Sequence, residues 1–360
     1  MIRTLHVVGT RIGGGAENFL VRLATALESR GHPTHVVTRP GSPVVEDVAG
    51  RVPCTTVGMR SGADFLSARK IRKVARSHGA EVVQSYMGRA TRLTRMGRRG
   101  PVHVGRLGNY YRLRAYKHCD AWIGNTLGIC RHLVAGGFPK ERIFHIYNFV
   151  DVPTPTSAQV LQGLRYELDL PADALVLVSP GRFVPVKGFD VLLRAFARIP
   201  ATVAERPVHL VLVGDGPSSR DLERLSERLD VQDRVRWTGW VASAGPYYDM
   251  ADLVVFPPRR EEPFGNVVLE AWSHGAPLVT TRFRGAEEFV RPERDARVVP
   301  CEDPPTLAAA VEDLLKDDNA RRTLGQGGLT RARSDFSEEH IVSQYLDLYG
   351  RLIRQGPRRR

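Results

Sequence analysis

Two acids, Glu262 and Glu270, stand in the stretch EEPFGNVVLEAWSHGA that runs from Glu261 to Ala276. The preceding ADLVVFPP reads as a strand, Pro-Phe-Gly after Glu262 as a turn, and Val267, Val268, Ala271 and Trp272 recur at helical spacing. The pattern therefore delivers Glu262 to a helix start and carries Glu270 two turns into that helix. Asn266 is placed as the cap of the helix. The N–H groups of Phe264, Gly265 and Asn266 lie at the positive end of its dipole, a cradle suited to hydroxyls or an anion. Taken alone, the same residues also fit a surface loop with a solvated acid and a core helix.

Cations stand at comparable places. Arg182 and Lys187 bracket a turn holding Pro185 and Gly188, directly after the strand-like ALVLVSPGR. A fork-shaped and a point cation there can meet one diphosphate, although each taken singly reads as a surface charge. Glycines punctuate the same kind of junction: Gly13, Gly14 and Gly15 after the first strand, Gly214 to Gly216, and Gly239 beside Trp240. The first of these runs fits neither a dinucleotide fingerprint, because Arg11 takes the second glycine position, nor a phosphate loop with its lysine. It supplies bare backbone at a helix N-terminus. In open α/β sheets the binding crevice forms outside the carboxyl ends of the strands, and every feature named so far falls at such an end.

The elements that must position them alternate. Ile2 to Gly9 reads as a strand, the segment from Ala16 to Gly31 as an amphipathic helix, and Thr34 to Thr38 as the next strand. Strands follow at Val52 to Val57, Glu81 to Ser85, Pro101 to Leu107, Ala121 to Gly124 and Ile143 to Tyr147. Helices are placed at Ala63 to His78, from Gly88, at Tyr110 to His118 and from Thr126. Asp151 to Gln159, rich in Pro, Ser and Thr, reads as a linker. A second alternating series begins at Ala174, and a last helix from Ser337 to Arg354 is expected to pack back on the first domain. The fold expected is α/β, two Rossmann-like doubly wound domains facing a central cleft. Residues 1–155 form the acceptor domain, 156–336 the donor domain, and 337–360 the returning helix and a disordered basic tail.

At 360 residues with 42% hydrophobic content, the chain suits two globular domains. No segment reaches the ~20 apolar residues of a membrane span. Cys54, Cys119, Cys130 and Cys301 are scattered without metal-ligand spacing, which fits reduced thiols in a cytoplasmic protein. The absence of any Asp-x-Asp pair removes the usual carboxylate clamp for a nucleotide-bound metal, so no metal or other cofactor is expected. The net charge of +13 is uneven: residues 1–150 hold 24 Lys and Arg against 8 Asp and Glu, and the remainder 28 against 31. Within 60–117 the counts are 15 and 2. Phe65, Ala68, Ile71, Val74 and Ala75 form one stripe of a helix whose other surface carries Arg69, Lys70, Arg72, Lys73 and Arg76. Arg89, Arg92, Arg95, Arg98 and Arg99 follow at largely helical spacing. Such faces attract anionic lipid, nucleic acid or anionic substrates, and are also common as solvated surfaces.

GRFVPVKGFDVLLRAF, LVLVGDGP, VRWTGWV and EEPFGNVVLEAWSHGAPLVTT, in this order, resemble the second domain of retaining glycosyltransferases of the family-4 type, which have the GT-B fold. GGGAENFLVRLATALESRGH is similar to that family's opening. The resemblance implies a sugar-nucleotide donor, uridine-linked, and the basic first domain suggests a lipid-linked or otherwise anionic cell-envelope glycan as acceptor. The resemblance also implies catalytic roles for Glu262, Arg182 and Lys187, with Glu262 near the donor sugar and the two cations on the diphosphate. Gly14, Gly15, Gly214, Trp240, Phe264, Gly265, Asn266, Val267 and Glu270 become donor-binding positions, Glu270 on the ribose. Glu288 matches a further family acid. Where many members carry a catalytic His, this chain has Arg106, Leu107 and Gly108, so Arg106 and Asn109 are expected on the acceptor side and His103 as a core histidine. Asn125 and Asn148 are expected to shape loops.

Two other classes compete. A nucleic-acid-binding protein would explain the charge, yet no helix-turn-helix, zinc or aromatic-platform motif accompanies it, so no nucleic acid is expected as partner. A protein that binds sugar nucleotides without transferring sugar has the same sequence signature.

Overall fold

The computed structural model describes residues 1–11, 13–97 and 99–358, and its chain divides into two compact units. Unit 1 comprises Met1–Phe149 together with Glu338–Arg360, and unit 2 is Val150–Ser337.

In unit 1 the strands are β1 (Thr4–Val8), β2 (Thr34–Thr38), β3 (Cys54–Thr56), β4 (Val82–Tyr86), β5 (Val102–Leu107), β6 (Ala121–Gly124) and β7 (Ile143–His145). They pair in the order β3-β2-β1-β4-β5-β6-β7, all parallel. The helices are α1 (Gly15–Ser29), α2 (Val44–Asp47), α3 (Phe65–Ser77), α4 (Met87–Leu93) and α5 (Leu127–Ala135). Strand residues alternate between faces. Leu5, Val7, Val37 and Val83 meet Ile71 and Ala75 of α3 and Leu93 of α4, whereas Val8, Val36 and Val82 pack toward Phe19 and Leu23 of α1.

Unit 2 has strands β8 (Leu175–Pro180), β9 (Thr202–Val203), β10 (Arg206–Val213), β11 (Val235–Trp237), β12 (Leu253–Phe256), β13 (Leu278–Thr281) and β14 (Arg297–Val299). The order is β11-β10-β8-β12-β13-β14, with short β9 antiparallel at β10. Its helices are α6 (Ala158–Glu167), α7 (Phe189–Phe196), α8 (Ser219–Arg228), α9 (Gly245–Met250), α10 (Asn266–Ser273), α11 (Ala286–Phe289), α12 (Pro304–Lys316) and α13 (Asp318–Arg333). Both sheets are thus Rossmann-like, as the alternation requires.

The last helix, α14 (Glu338–Gln355), belongs to unit 1. Ile341, Val342, Tyr345, Tyr349 and Leu352 are buried in one cluster with Phe19 and Leu27 of α1. Beneath it lies a polar layer built by the same-face residues of the strands. Tyr349 donates to Gln84 at 2.8 Å, Gln84 donates to Tyr86 at 2.6 Å, and His6 Nδ1 lies 2.9 Å from the Tyr86 hydroxyl. Arg106, 2% exposed, joins this layer: Nε donates to the Tyr345 hydroxyl at 3.0 Å and another nitrogen to Asn148, while the guanidinium sits 3.7 Å over the Phe19 ring.

Three local expectations are corrected. Tyr110 to His118 is not a helix but a loop with one 3-10 turn at Leu113–Ala115. The basic run after Gly88 is not one helix, because α4 ends at Leu93, carrying Arg89 and Arg92 only; Arg98 lies outside the described residues. The tail is ordered as far as Arg358, whose N–H donates to Asp120 at 3.1 Å and whose guanidinium covers Trp122; Arg359 and Arg360 lie outside the described residues.

Burial lowers the His6 pKa to about 3. Its unfolded value is about 6.5, so the neutral ring contributes fully above that pH, and its contribution fades as pH falls toward the folded value. In urea titrations between about pH 7 and pH 4, wild type should lose stability more steeply than His6→Gln; parallel slopes would contradict the buried neutral imidazole.

Candidate functional site

The loops after β8, β10, β11 and β12 of unit 2 are stitched together at the carboxyl ends of the strands. Gly181 N–H donates to Val213 O at 2.9 Å and Phe183 N–H to Asp215 O at 3.0 Å, which ties the first two. Gly214 N–H donates to Gly239 O at 3.0 Å, which places Trp240, 78% exposed, beside the β10 loop. Arg259 ties the last loop to the first, its N–H on Val186 O at 2.9 Å and its guanidinium on Asp190 and Glu302, each at 2.9 Å.

Within this frame Lys187 Nζ lies 3.1 Å from Glu262 Oε2, their side chains 20% and 9% exposed. Lys187 also stands 5.1 Å above the Phe256 ring. The other Glu262 oxygen, Oε1, accepts the Gly265 N–H at 3.1 Å. One carboxylate thereby fixes both the lysine and the turn that starts α10. Two glycines make this approach possible. Gly188, φ 69°, has no room for a Cβ against Pro257 O, and a Cβ on Gly265, φ 78°, would lie 2.7 Å from the Phe283 ring.

Glu270 projects from α10 and accepts the Tyr248 hydroxyl at 2.8 Å on Oε2. Val267 and Phe264 are buried, 7% and 3% exposed, and Glu288 is half-buried on α11. Arg182 is exposed, with no ion-pair partner among the described residues.

The helix start differs from expectation. Asn266 is the first residue of α10 rather than its cap, and Gly265, left-handed and without a side chain, occupies the capping position. The tight Pro-Phe-Gly turn demands that positive φ, which asparagine at 266 does not take. The expected cradle is also one donor short, since the Gly265 N–H is already engaged by Glu262.

In unit 1 the candidates separate. Gly14 is the extended residue before α1 and Gly15 its first residue. Arg106 is corrected as an acceptor contact: Tyr345, Asn148 and the Phe19 ring take up its guanidinium within unit 1. Asn109 is exposed after β5, its Oδ1 accepting Tyr110 N–H at 2.7 Å. His103 is buried at the start of β5, 2.8 Å from Ser85 Oγ, and Asn125 Nδ2 reaches Asn148 at 3.4 Å.

Sequence reasoning missed Glu17, 4% exposed in the first turn of α1, which accepts the Thr10 hydroxyl and whose pKa burial raises. An acid amid apolar helix positions was its signal. It also missed that His103, His118 and Cys119 bring ligand-type atoms within 4.8 Å of one another. Spacing along the chain hid this, because pairing of Val104 with Ala121 is what joins the two segments. On α3 the apolar stripe is shorter than expected: Ile71 and Ala75 are buried, while Phe65 and Leu66 are 66% and 77% exposed at the helix start. Among the described residues no helix is long and apolar enough to cross a membrane.

Fold and motifs together define a GT-B glycosyltransferase class. The solved structures similar to this chain include Anabaena Alr3699/HepE in complex with UDP-glucose, with TM-score 0.85 and 21% identity, covering 98% of this chain and 100% of that one. WaaG, a glycosyltransferase involved in lipopolysaccharide biosynthesis, has TM-score 0.72 and 18% identity over 97% and 99% of the two chains. Residues 13–153 match Glycosyltransferase Family 4 and residues 174–317 match Glycosyl transferases group 1. The lipopolysaccharide core biosynthesis glycosyltransferase LpsE of Rhizobium meliloti (strain 1021) is 34% identical over 93% of this chain and 95% of its own length. LpsD of the same strain is 34% identical over 97% and 98%. The chain belongs to the family-4 type of group 1 glycosyltransferases.

Lys187→Ala should leave the Glu262 carboxylate buried beside one N–H and destabilise unit 2 by about 2–3 kcal/mol, whereas Lys187→Met with Glu262→Gln should recover much of that loss. Urea unfolding read by hydrogen exchange in β12 and α10 measures both. A loss under about 0.5 kcal/mol for the single variant would mean that solvent screens the pair.

Proposed function

We propose that this glycosyltransferase is retaining, takes a UDP-linked sugar as donor, and adds the sugar to a lipid-linked glycan of the lipopolysaccharide-core kind without a divalent metal. The Lys187–Glu262 pair at the carboxyl ends of β8 and β12 is the observation that carries the reading. An ammonium has three donor hydrogens, so Lys187 can keep Glu262 while offering another hydrogen to a phosphate oxygen. Exposed Arg182 lies in the same loop and is assigned to the same diphosphate. The family relationship to LpsE and LpsD supports the acceptor class, and the UDP-glucose complex of Alr3699/HepE supports the nucleotide.

In the proposed reaction the bond between the anomeric carbon and the β-phosphate oxygen breaks as negative charge collects on the departing diphosphate. Lys187 and Arg182 stabilise that charge. The acceptor hydroxyl oxygen bonds to the anomeric carbon from the face the diphosphate leaves, and its proton passes to a β-phosphate oxygen. Glu262 positions the lysine and the turn and faces the sugar. Glu270 is assigned to the ribose, Gly214 and Trp240 to the border of the base, and Phe264 to Val267 to the donor. Gly14 and Gly15 are assigned backbone contacts to a phosphate, and Asn109 stays the candidate acceptor contact in unit 1.

We assign α3 to the anionic inner surface of a membrane. Its Arg69, Lys70, Arg72, Lys73 and Arg76 meet headgroups while exposed Phe65 and Leu66 enter the acyl boundary.

Transfer from UDP-sugars to a lipid-linked core acceptor should survive excess chelator and fall at least about 100-fold in Glu262→Ala, in line with loss of a charge-stabilising group; a strict need for divalent metal, or an unaffected variant, overturns the corresponding part. Slow donor turnover equal in both proteins would favour a binding protein. Sedimentation with anionic vesicles should weaken with salt and weaken further in Phe65→Ser with Leu66→Ser. Binding that ignores both salt and substitution would remove α3 from the membrane.

A further inference from the structure

Glu270 and His274 stand one turn apart on the same side of α10 and its C-terminal cap, so a single neighbouring side chain can touch both. Tyr248 of α9 does so. Its ring, 3% exposed, stacks on His274 with centroids 5.2 Å apart at 20°, and its hydroxyl donates to Glu270 Oε2 at 2.8 Å. Among the described residues no group is bonded to the other oxygen, Oε1.

The next residue completes the arrangement. Asp249 Oδ1 lies 2.6 Å from His274 Nδ1, both side chains about nine-tenths buried. Its Oδ2 accepts the N–H of Thr156 at 2.8 Å and the Thr156 hydroxyl at 2.5 Å. Burial works against the charged form of Asp249, but the bonds from Thr156 and His274 outweigh it and hold its pKa below the usual carboxylate range. Thr156 belongs to the Pro-rich segment that begins unit 2. A continuous line of contacts thus runs Thr156, Asp249, His274, Tyr248, Glu270, wholly inside unit 2.

We infer that Tyr248 is a positioning residue for Glu270, and that Asp249, His274 and Thr156 set the orientation of Tyr248. This rests on the assignment of Glu270 to the donor ribose. A carboxylate with one oxygen held by a buried phenol keeps its second oxygen directed and ready to accept a ribose hydroxyl, with little rotamer freedom left to lose on binding. Thr156, near the start of unit 2, thereby bears on ribose recognition through Asp249 and His274.

The test is calorimetric titration of the full chain with UDP and with 2′,3′-dideoxy-UDP, whose sugar lacks the hydroxyls Glu270 would receive. Tyr248→Phe should weaken UDP by about five- to tenfold, the scale of one hydrogen bond to a charged acceptor, and leave the dideoxy ligand within about twofold. Thr156→Ala should lower the preference for UDP by a smaller factor. Glu270→Ala should abolish the preference. If Glu270→Ala abolishes it while Tyr248→Phe retains it in full, or Tyr248→Phe weakens both ligands equally, the positioning role is wrong. If Glu270→Ala keeps the wild-type preference, the ribose assignment falls and the Tyr248 role with it. His274→Gln, which removes the stacked ring and keeps the phenol, carries the same expectation as Tyr248→Phe should that variant fold poorly.

Discussion

An ammonium and a carboxylate held at 3.1 Å in a largely buried place, Lys187 against Glu262, set the terms for the rest of unit 2. Removing either charge from water is costly, and the cost is offset only if each finds further partners. Glu262 finds the Gly265 N–H, and Lys187 the face of Phe256. Lys187 stands in the turn after β8, whereas Glu262, Gly265 and Phe256 belong to β12 and the turn after it, so satisfying the pair forces those two turns together. The parallel sheet makes that geometry available, because every strand of such a sheet ends on the same edge.

The same logic explains why the surrounding loops are glycine-rich and cross-bonded. Gly188 and Gly265 take positive φ where a side chain would collide with the neighbouring loop or with aromatic rings. Arg259 then clamps the outer side through Asp190 and Glu302. A site built this way is fixed before ligand arrives, which is what electrostatic stabilisation of a leaving group requires.

Unit 1 solves a different problem. Its sheet carries polar residues on one face, Thr4, His6, Gln84 and Arg106, which would be costly under an apolar helix. The α14 helix brings two tyrosines whose hydroxyls reach Gln84 and Arg106, so a segment from the end of the chain completes the first unit's core. The basic surface of unit 1 is untouched by that layer. It lies on the opposite face of the sheet with α3, where the exposed Phe65 and Leu66 also stand.

The sequence by itself determined the alternation of strands and helices, the two Rossmann-like sheets and the family, because periodicity and loop residues are local properties of the chain. It also located Glu262, Lys187 and Arg182 at strand ends and Glu270 within the helix that follows one of them. What it left undecided were partners: that Arg106 is taken up by Tyr345 and Asn148 instead of an acceptor, that Gly265 instead of Asn266 caps α10, and that Tyr248 touches both His274 and Glu270. Each of those depends on a side chain far away in sequence or on a backbone angle set by neighbouring loops. Pairing across a sheet and packing between helices bring such groups together, and no local pattern encodes a contact between residues 106 and 345.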